Sequence, residues 1–262
     1  MVDLTAILPH VTGFAVVMAR LSGLFLFSPV LSSAVVPRRA KAMLALLMTL
    51  CIYPTIDHSA TLDVPLSVVT LGPLMAMEIL IGAAIGVLML TPLWAVQLAG
   101  TFMGQQMGLS LAPILNPATD IEGDTLGQLL FMMALAIFVT LGGIEAMWEG
   151  LILSFKSVPA GAFRIDDRLL ETLSGMIAGG FHLAMRVSMP VLAIVLAESV
   201  AVGFITKTLP SLNFMSFGFP VRIVLALAVL AASLAGVHTA LNADIRSTIR
   251  IVGQWASDPA NN

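Results

Sequence analysis

The stretch Ile79–Thr119, ILIGAAIGVLMLTPLWAVQLAGTFMGQQMGLSLAPILNPAT, contains no charged side chain. Its 41 residues are about twice what one membrane-spanning helix needs, since a span takes roughly 20 apolar residues. The stretch begins as an apolar helix, meets Pro92, becomes rich in glycine and ends in a loop of proline and asparagine. Irregular backbone at membrane depth is tolerated only where protein surrounds it. The stretch therefore predicts a membrane protein with a loop buried in its interior.

The composition agrees with a membrane protein. The chain is 58% hydrophobic and 10% charged, whereas soluble domains carry about 25% charged residues. A net charge of −3 provides no basic field for nucleic acid, which is not expected as a partner. The single cysteine, Cys51, excludes an internal disulfide and a cysteine metal cluster, and we expect it to be a small buried hydrophobe.

Six apolar blocks predict an all-α fold, a membrane-associated bundle of long kinked helices, because each block is too long for a strand. The blocks are residues 6–30, 40–56, 66–99, 125–153, 177–204 and 217–241. If all six crossed the membrane, the basic residues of the connections would divide almost evenly between the two sides. An even division gives no positive-inside orientation. We therefore doubt that the blocks are six simple spans.

Several charged residues interrupt the apolar blocks. Placing such a charge at the centre of the lipid costs about 2.5–3.5 kcal/mol, so each charge needs a partner. A proton or ion pathway is one interpretation, and pairing between helices or between subunits is the other. We favour pairing, because the signs are mixed and the charges are scattered over the blocks. The predicted buried or inter-subunit contacts are Arg20, Glu78, Arg186 and Glu198.

Small residues follow one face of the helix that ends the uncharged stretch. Gly100, Gly104 and Gly108 are spaced by four, which allows another helix to approach the backbone closely. Ordinary helix packing explains this spacing as well as a functional role does. On the opposite face, Phe102 and Met103 are predicted to line a pore.

The uncharged loop that follows is predicted to close that pore. Methionine suits a changeable surface because its side chain is unbranched and polarizable. A loop with apolar side chains between prolines can seal a pore and still be pushed aside. The predicted plug residues are Met107, Gly108, Leu109, Leu111, Pro113, Ile114, Leu115, Asn116 and Pro117.

Motifs for catalysis are missing from the sequence. It contains no H-E-x-x-H, no phosphate loop and no G-x-S-x-G, so we expect no enzyme, catalytic residue, metal or other cofactor. An ion-coupled secondary transporter is an alternative, because broken helices and embedded charges occur there too. Such a transporter should show matching halves, and the pattern of Gly100–Pro117 has no second copy. A passive assembly factor is a further alternative.

Seven segments together, in their order and spacing, resemble the FliR family of flagellar biosynthesis proteins, which has close relatives in injectisomes. The segments are RLSGLFLFSPV (20–30), VPRRAKAMLALLMTL (36–50), EILIGAAIG (78–86), MGLSLAPILNP (107–117), LGG (141–143), SVPAG (157–161) and LPSLNFMSFGFPVRI (209–223). The resemblance covers essentially the whole chain.

The resemblance implies an organisation that composition alone does not give. Residues 1–180 would be a FliP-like helical part, 181–241 a FliQ-like helical hairpin and 242–262 a C-terminal tail. The hairpin would turn at Lys207, Pro210 and Asn213.

The resemblance also implies a pore-forming and gating subunit of the flagellar type III export apparatus. It would lie in the bacterial inner membrane at the flagellar basal body and pass unfolded export substrates. Its implied partners are FliP and FliQ subunits, the FlhA and FlhB export components and the lipid membrane. The family's plug corresponds here to about residues 108–120.

Overall fold

The computed structural model describes residues 4–31, 37–56, 68–109, 124–158, 167–208 and 214–257. Within these residues the chain forms α-helices and a short 3-10 turn but no strand, which confirms the all-α prediction. The α-helices are α1 (Leu4–Phe27), α2 (Arg38–Ile52), α3 (Val68–Met107), α4 (Thr125–Thr140), α5 (Gly143–Ser157), α6 (Asp167–Thr208) and α7 (Phe214–Ser257).

The helix ends differ from the predicted blocks at four places. Helix α6 begins at Asp167, ten residues before the block 177–204. The block 125–153 is two helices, because Gly142 adopts a left-handed conformation (φ +76°) between α4 and α5, a conformation that glycine adopts at little cost. Helix α3 passes through Pro92 and ends at Met107. Helix α7 continues beyond residue 241 to Ser257.

Four helices are long and apolar enough to cross a membrane. These candidate spans are His10–Phe27, Leu71–Met107, Leu170–Thr208 and Gly218–Ser257. The bent pair α4 and α5 makes a fifth if it counts as one span. Helix α2, with 15 residues, is shorter than the roughly 20 that a span takes. The doubt about six simple spans was therefore justified.

Helix α2 has a buried side and an exposed side. Ala45, Thr49 and Ile52 are buried, whereas Cys51 is exposed. The prediction that Cys51 is buried is wrong. Successive helix positions are about 100° apart, which turns Cys51 to the side opposite Thr49.

The chain divides into two compact units. The first consists of Met1–Thr91, Phe138–Met176 and Ile245–Asn262, and the second of Pro92–Ile137 and Ile177–Asp244. The boundaries predicted near residues 180 and 241 lie inside the continuous helices α6 and α7. The three-part organisation thus stays a prediction, and it does not coincide with helix ends.

A contact between glycines and backbone holds the first unit together. A Cβ atom on Gly82 of α3 would lie 1.8 Å from the carbonyl oxygen of Arg20 in α1. A Cβ atom on Gly23 of α1 would lie 2.1 Å from the carbonyl oxygen of Ile79. Helices α1 and α3 therefore cross at a distance that only glycine allows, a type of contact that is enriched between membrane helices.

Candidate functional site

The predicted close approach of another helix to the glycines near the end of α3 occurs at Gly100. A Cβ atom on Gly100 would lie 2.6 Å from the Cα atom of Gly127 in α4. A Cβ atom on Gly104 would be 3.9 Å from the Cβ atom of Leu126, an ordinary contact distance. In the second unit, α3 and α4 thus meet backbone to backbone at Gly100 and separate toward Gly104.

The segment that precedes α4 is tied to α3 through a side chain. Asp124 precedes α4, and its Oδ1 atom accepts a hydrogen bond of 3.2 Å from the Gly127 N–H. This bond caps the helix, since it satisfies one of the free N–H groups of the first turn. The Thr101 hydroxyl donates to Asp124 Oδ2 at 2.9 Å. One carboxylate therefore both starts α4 and joins it to α3.

The start of the loop is fixed by the last turn of α3. The Gly108 N–H donates to the carbonyl of Gln105 (3.0 Å), and Gly108 has a φ of +81°. A left-handed glycine at this place ends a helix. The Phe219 ring of α7 lies so close that a Cβ atom on Gly108 would be 2.5 Å from its Cε2 atom. Gly108 is thus required both by its backbone conformation and by the ring beside it.

We call residues 108–124, with these two attachments, the anchored loop. Of the predicted plug residues, Met107 is fully buried, and Gly108 and Leu109 are half-buried. The other predicted plug residues lie outside the described part of the chain: Leu111, Pro113, Ile114, Leu115, Asn116 and Pro117. The structure therefore describes how the loop is attached at both ends.

The two predicted pore-lining residues differ in exposure. Phe102 is half-buried, whereas Met103 has no exposed surface, like Met107 one turn later. A side chain with no exposed surface contacts its own chain, so the burial of Met103 does not support a place on a pore wall in this conformation. The exposed side chains of this turn are Gln105 and Gln106.

Arg20 and Glu78 pair with each other in the first unit. Arg20 Nε donates to Glu78 Oε2 at 2.6 Å, and the two side chains are 0% and 1% exposed. The remaining guanidinium nitrogens donate to Ser154 Oγ and to the carbonyl oxygen of Val158, both at 3.1 Å. The guanidinium also lies 4.0 Å from the centre of the Phe155 ring. A fully bonded arginine thus joins α1 and α3 to the end of α5.

Glu198 pairs with a residue that the sequence did not indicate. Arg222 Nε of α7 donates to Glu198 Oε2 of α6 at 2.9 Å, and Arg222 also donates to Ser199 Oγ. The other carboxylate oxygen, Oε1, is buried without a hydrogen-bond partner among the described residues. Arg186 is exposed and forms no ion pair within the described ranges.

The predicted hairpin turn is described only at its start. Lys207 lies exposed in the last turn of α6, while Pro210 and Asn213 fall outside the described residues. The Glu198–Arg222 pair links the two helices on either side of that turn.

Comparison with known proteins decides the family. The sequence profile of the bacterial export proteins, family 1, matches residues 11–248. The chain belongs to this family. It is similar to the flagellar biosynthetic protein FliR of Escherichia coli, with 29% identity over 81% of this chain and 80% of that protein. FliR of Bacillus subtilis is 26% identical over 81% and 82% of the two chains.

A relative from another export system matches a shorter part. The Yop proteins translocation protein T of Yersinia pestis is 24% identical over 68% of this chain and 69% of that protein.

Within the part of this family member that the structure describes, no group of three histidine, cysteine, aspartate or glutamate side chains could hold a metal ion.

Two features of this family member were missed from the sequence although signals were present. Gly82 and Gly86 form the small-xxx-small spacing of closely packed membrane helices, and both meet α1. Arg222 is a basic residue near the start of an apolar block, and such a residue is a candidate partner for a buried carboxylate. The partner helix of each feature depends on tertiary packing, which spacing alone does not give.

Proposed function

We propose that the chain is a pore-forming and gating subunit of the flagellar type III protein export apparatus. The family match over residues 11–248 carries this proposal, because the similar proteins include flagellar FliR proteins and a Yop translocation protein. The four long apolar helices support a place in the bacterial inner membrane, at the flagellar basal body. The work of the subunit would be conduction and closure, with no chemical step of its own.

The anchored loop is the proposed gate. Its two attachments, Thr101 to Asp124 and Gly108 to Phe219, leave the residues between them to close the lumen at rest. Because the attachments belong to helix ends, an arriving chain could displace the loop without unfolding α3 or α4. Loops positioned on a rigid scaffold commonly carry function in this way. Unfolded export substrates would then pass where the apolar loop had been.

The exposed helices α6 and α7 are the proposed contact surface for partners. Their apolar windows are each only 17% buried within the chain, although they carry large side chains such as Phe181, Leu196 and Phe204 on the surface. Contiguous exposed apolar surface of this kind marks a protein or lipid interface. FliP and FliQ subunits and lipid would cover it, and FlhA and FlhB would couple the gate to an energy source.

The alternative of an ion-coupled secondary transporter is not favoured. Three of the four embedded charges that suggested it are paired within the chain, Arg20 with Glu78 and Glu198 with Arg222. The fourth, Arg186, is exposed. The family is one of export proteins. A passive assembly factor without a gate differs from the proposal in one measurable property, the ion permeability of loop variants.

The test is deletion of residues 110–116 in the assembled export complex. We expect the complex to form in normal yield and the membrane to become permeable to small ions, because the seal is removed while both attachments remain. Ion flux into vesicles that contain the complex measures this. A Gly/Ser replacement of the same length separates the loss of apolar side chains from the shortening of the loop.

The matched control is Gly72→Ala, since a Cβ atom at Gly72 in α3 meets nothing within 4 Å and Gly72 is not part of the proposed partner surface. This variant should assemble and stay tight. Normal assembly with unchanged permeability of the deletion variant would contradict the gate. Loss of assembly without any leak would instead favour the assembly factor.

A further inference from the structure

Helix α2 carries a row of exposed apolar side chains that no other described element covers. Met43, Leu46, Leu47 and Leu50 are 67%, 47%, 55% and 60% exposed. With helix positions about 100° apart, these four residues fall within one face of about 100°. The buried residues of α2, such as Thr49, lie on another side. The exposed face is therefore a surface of its own and is no part of the contact with α1.

One cation lies at the start of the same face, and a second lies next to it. Arg39 is four residues before Met43 and is exposed, and Arg38, also exposed, precedes it at the first position of the helix. Lys41 is a third, half-buried cation, but at about 100° per residue it lies on the buried side of α2. None of the three forms an ion pair with a carboxylate in the described ranges, and the first turn of α2 contains no acidic residue. In a chain of net charge −3, this is a local cluster of unpaired cations.

The cations also destabilise the first turn of α2. The N-terminal end of a helix has partial positive charge, so basic residues in the first turn destabilise it unless an anion is near. No side chain caps α2, since its N-cap residue is Pro37. An anionic group beside Arg38 and Arg39 would offset this repulsion.

The length of the face fits one lipid leaflet. Arg39 and Leu50 are eleven positions apart, which is about 16 Å along a helix. One leaflet contributes about half of the roughly 30 Å hydrocarbon core. Arginine side chains near a helix end reach toward the interface while their stems stay on apolar surface. Over these roughly 16 Å the charged end at Arg39 is followed by about 10 Å of apolar face from Met43 to Leu50, an arrangement that matches the phosphate and the adjoining part of an acyl chain of one phospholipid.

We propose that α2 binds an anionic phospholipid, with the lipid phosphate at Arg38 and Arg39 and an acyl chain along Met43 to Leu50. The site does not depend on the export function proposed above.

The chain provides its own reporter for a test. Cys51 is the single cysteine and is exposed at the end of α2, beside Leu50. A donor dye on Cys51 of the full-length protein, purified in detergent, is titrated with acceptor-labelled phosphatidylglycerol or phosphatidylcholine. Energy transfer then measures the apparent affinity for each lipid.

We expect phosphatidylglycerol to bind more tightly than phosphatidylcholine and its affinity to fall at high salt. Each basic residue near an anionic lipid surface contributes about 1 kcal/mol, which is roughly fivefold in affinity. Arg39→Gln should therefore weaken phosphatidylglycerol binding about fivefold, and the variant with Arg38 and Arg39 both changed to Gln should lose the preference.

The matched control removes the same charge elsewhere. Arg246 and Arg250 are exposed in α7, and changing both to Gln should keep the preference. Leu47→Gln should weaken binding of both lipids without removing the preference. Equal affinity of the unmodified chain for the two lipids would overturn the proposal, as would equal loss in the two double variants. Energy transfer to neither lipid would overturn it too and assign the face to a protein partner.

Discussion

Helix α3 and the helices α6 and α7 are similarly apolar, yet the chain buries them very differently. In an apolar 18-residue window of each candidate span, 72% is buried for Leu71–Met107, against 17% for both Leu170–Thr208 and Gly218–Ser257. Hydropathy therefore marks all three helices as membrane helices but does not tell which one forms the core. The difference lies in what surrounds their glycines.

Two glycines of α3, Gly82 and Gly100, meet the backbone of another helix, whereas Gly203 of α6 and Gly236 of α7 meet nothing. Cβ atoms on Gly82 and Gly100 would collide with the backbone of α1 and α4, respectively. Cβ atoms on Gly203 and Gly236 have no atom within 4 Å. Small residues promote association between membrane helices because lipid supplies no hydrophobic driving force between them. Helix α3 thus packs within the chain, and α6 and α7 offer their surfaces to lipid or other subunits.

The largest effect is expected from the charges at the α1–α3 crossing. Arg20→Met removes the arginine that is bonded to the buried Glu78 carboxylate, and breaking a buried ion pair costs about 3–5 kcal/mol. The free energy of unfolding of the detergent-purified protein should fall by that amount. Arg186→Met, at an exposed arginine without an ion pair in the described residues, is the control and should change it little.

The double variant Arg20→Met/Glu78→Met tests whether the loss comes from the buried charge that remains in Arg20→Met. It should be more stable than Arg20→Met alone, because the buried carboxylate is removed together with its arginine. If Arg20→Met and Arg186→Met had the same effect, α3 would not be the helix on which the chain's stability depends.

A second prediction compares glycines of the two regions directly. Gly82→Ala forces α1 and α3 apart, since the new methyl group would lie 1.8 Å from a carbonyl oxygen. Overpacking of this kind costs about 1–3 kcal/mol or more. Gly203→Ala should instead stabilise α6 by about 0.5–1 kcal/mol, because glycine is the poorer helix former. Opposite shifts of the melting temperature confirm the comparison, and shifts of the same sign contradict it.

The all-α fold and the importance of the uncharged stretch could be predicted from the sequence. Length and apolar composition are sufficient for both, because they set what a helix must do in a membrane. The helical part of the stretch ends at Met107, next to Gly108, where the predicted plug begins.

The pairing of helices could not be predicted, for a physical reason. The spacing of Gly100, Gly104 and Gly108 is visible in the sequence, but only the position of α4 decides which of them needs to be glycine. In the same way, Glu198 required a partner, and Arg222 was found to be that partner only when α6 and α7 were placed side by side. Which side chains meet depends on how two helices are shifted along and rotated about their axes. Residues far apart in the chain contribute to that arrangement.

The smallest effect separates two glycines of α3 itself. Gly100→Ala places a methyl group 2.6 Å from the Cα atom of Gly127, and neither backbone can move without shifting a helix. We expect a loss of about 1–3 kcal/mol and a weaker Thr101–Asp124 hydrogen bond, because α4 must retreat from α3. Gly104→Ala meets only Leu126 at 3.9 Å and should change the free energy of unfolding by less than about 1 kcal/mol.

Hydrogen exchange of the α4 N-terminal amides distinguishes the two variants. In Gly100→Ala the Gly127 amide should exchange faster, because its acceptor Asp124 is no longer held by Thr101. In Gly104→Ala it should exchange as in the unmodified chain. If both variants behaved alike, the four-residue spacing as a whole would form the contact. If only Gly100→Ala changes the exchange rate, the close contact between Gly100 and Gly127 is what positions Asp124, the residue that attaches the anchored loop to α3.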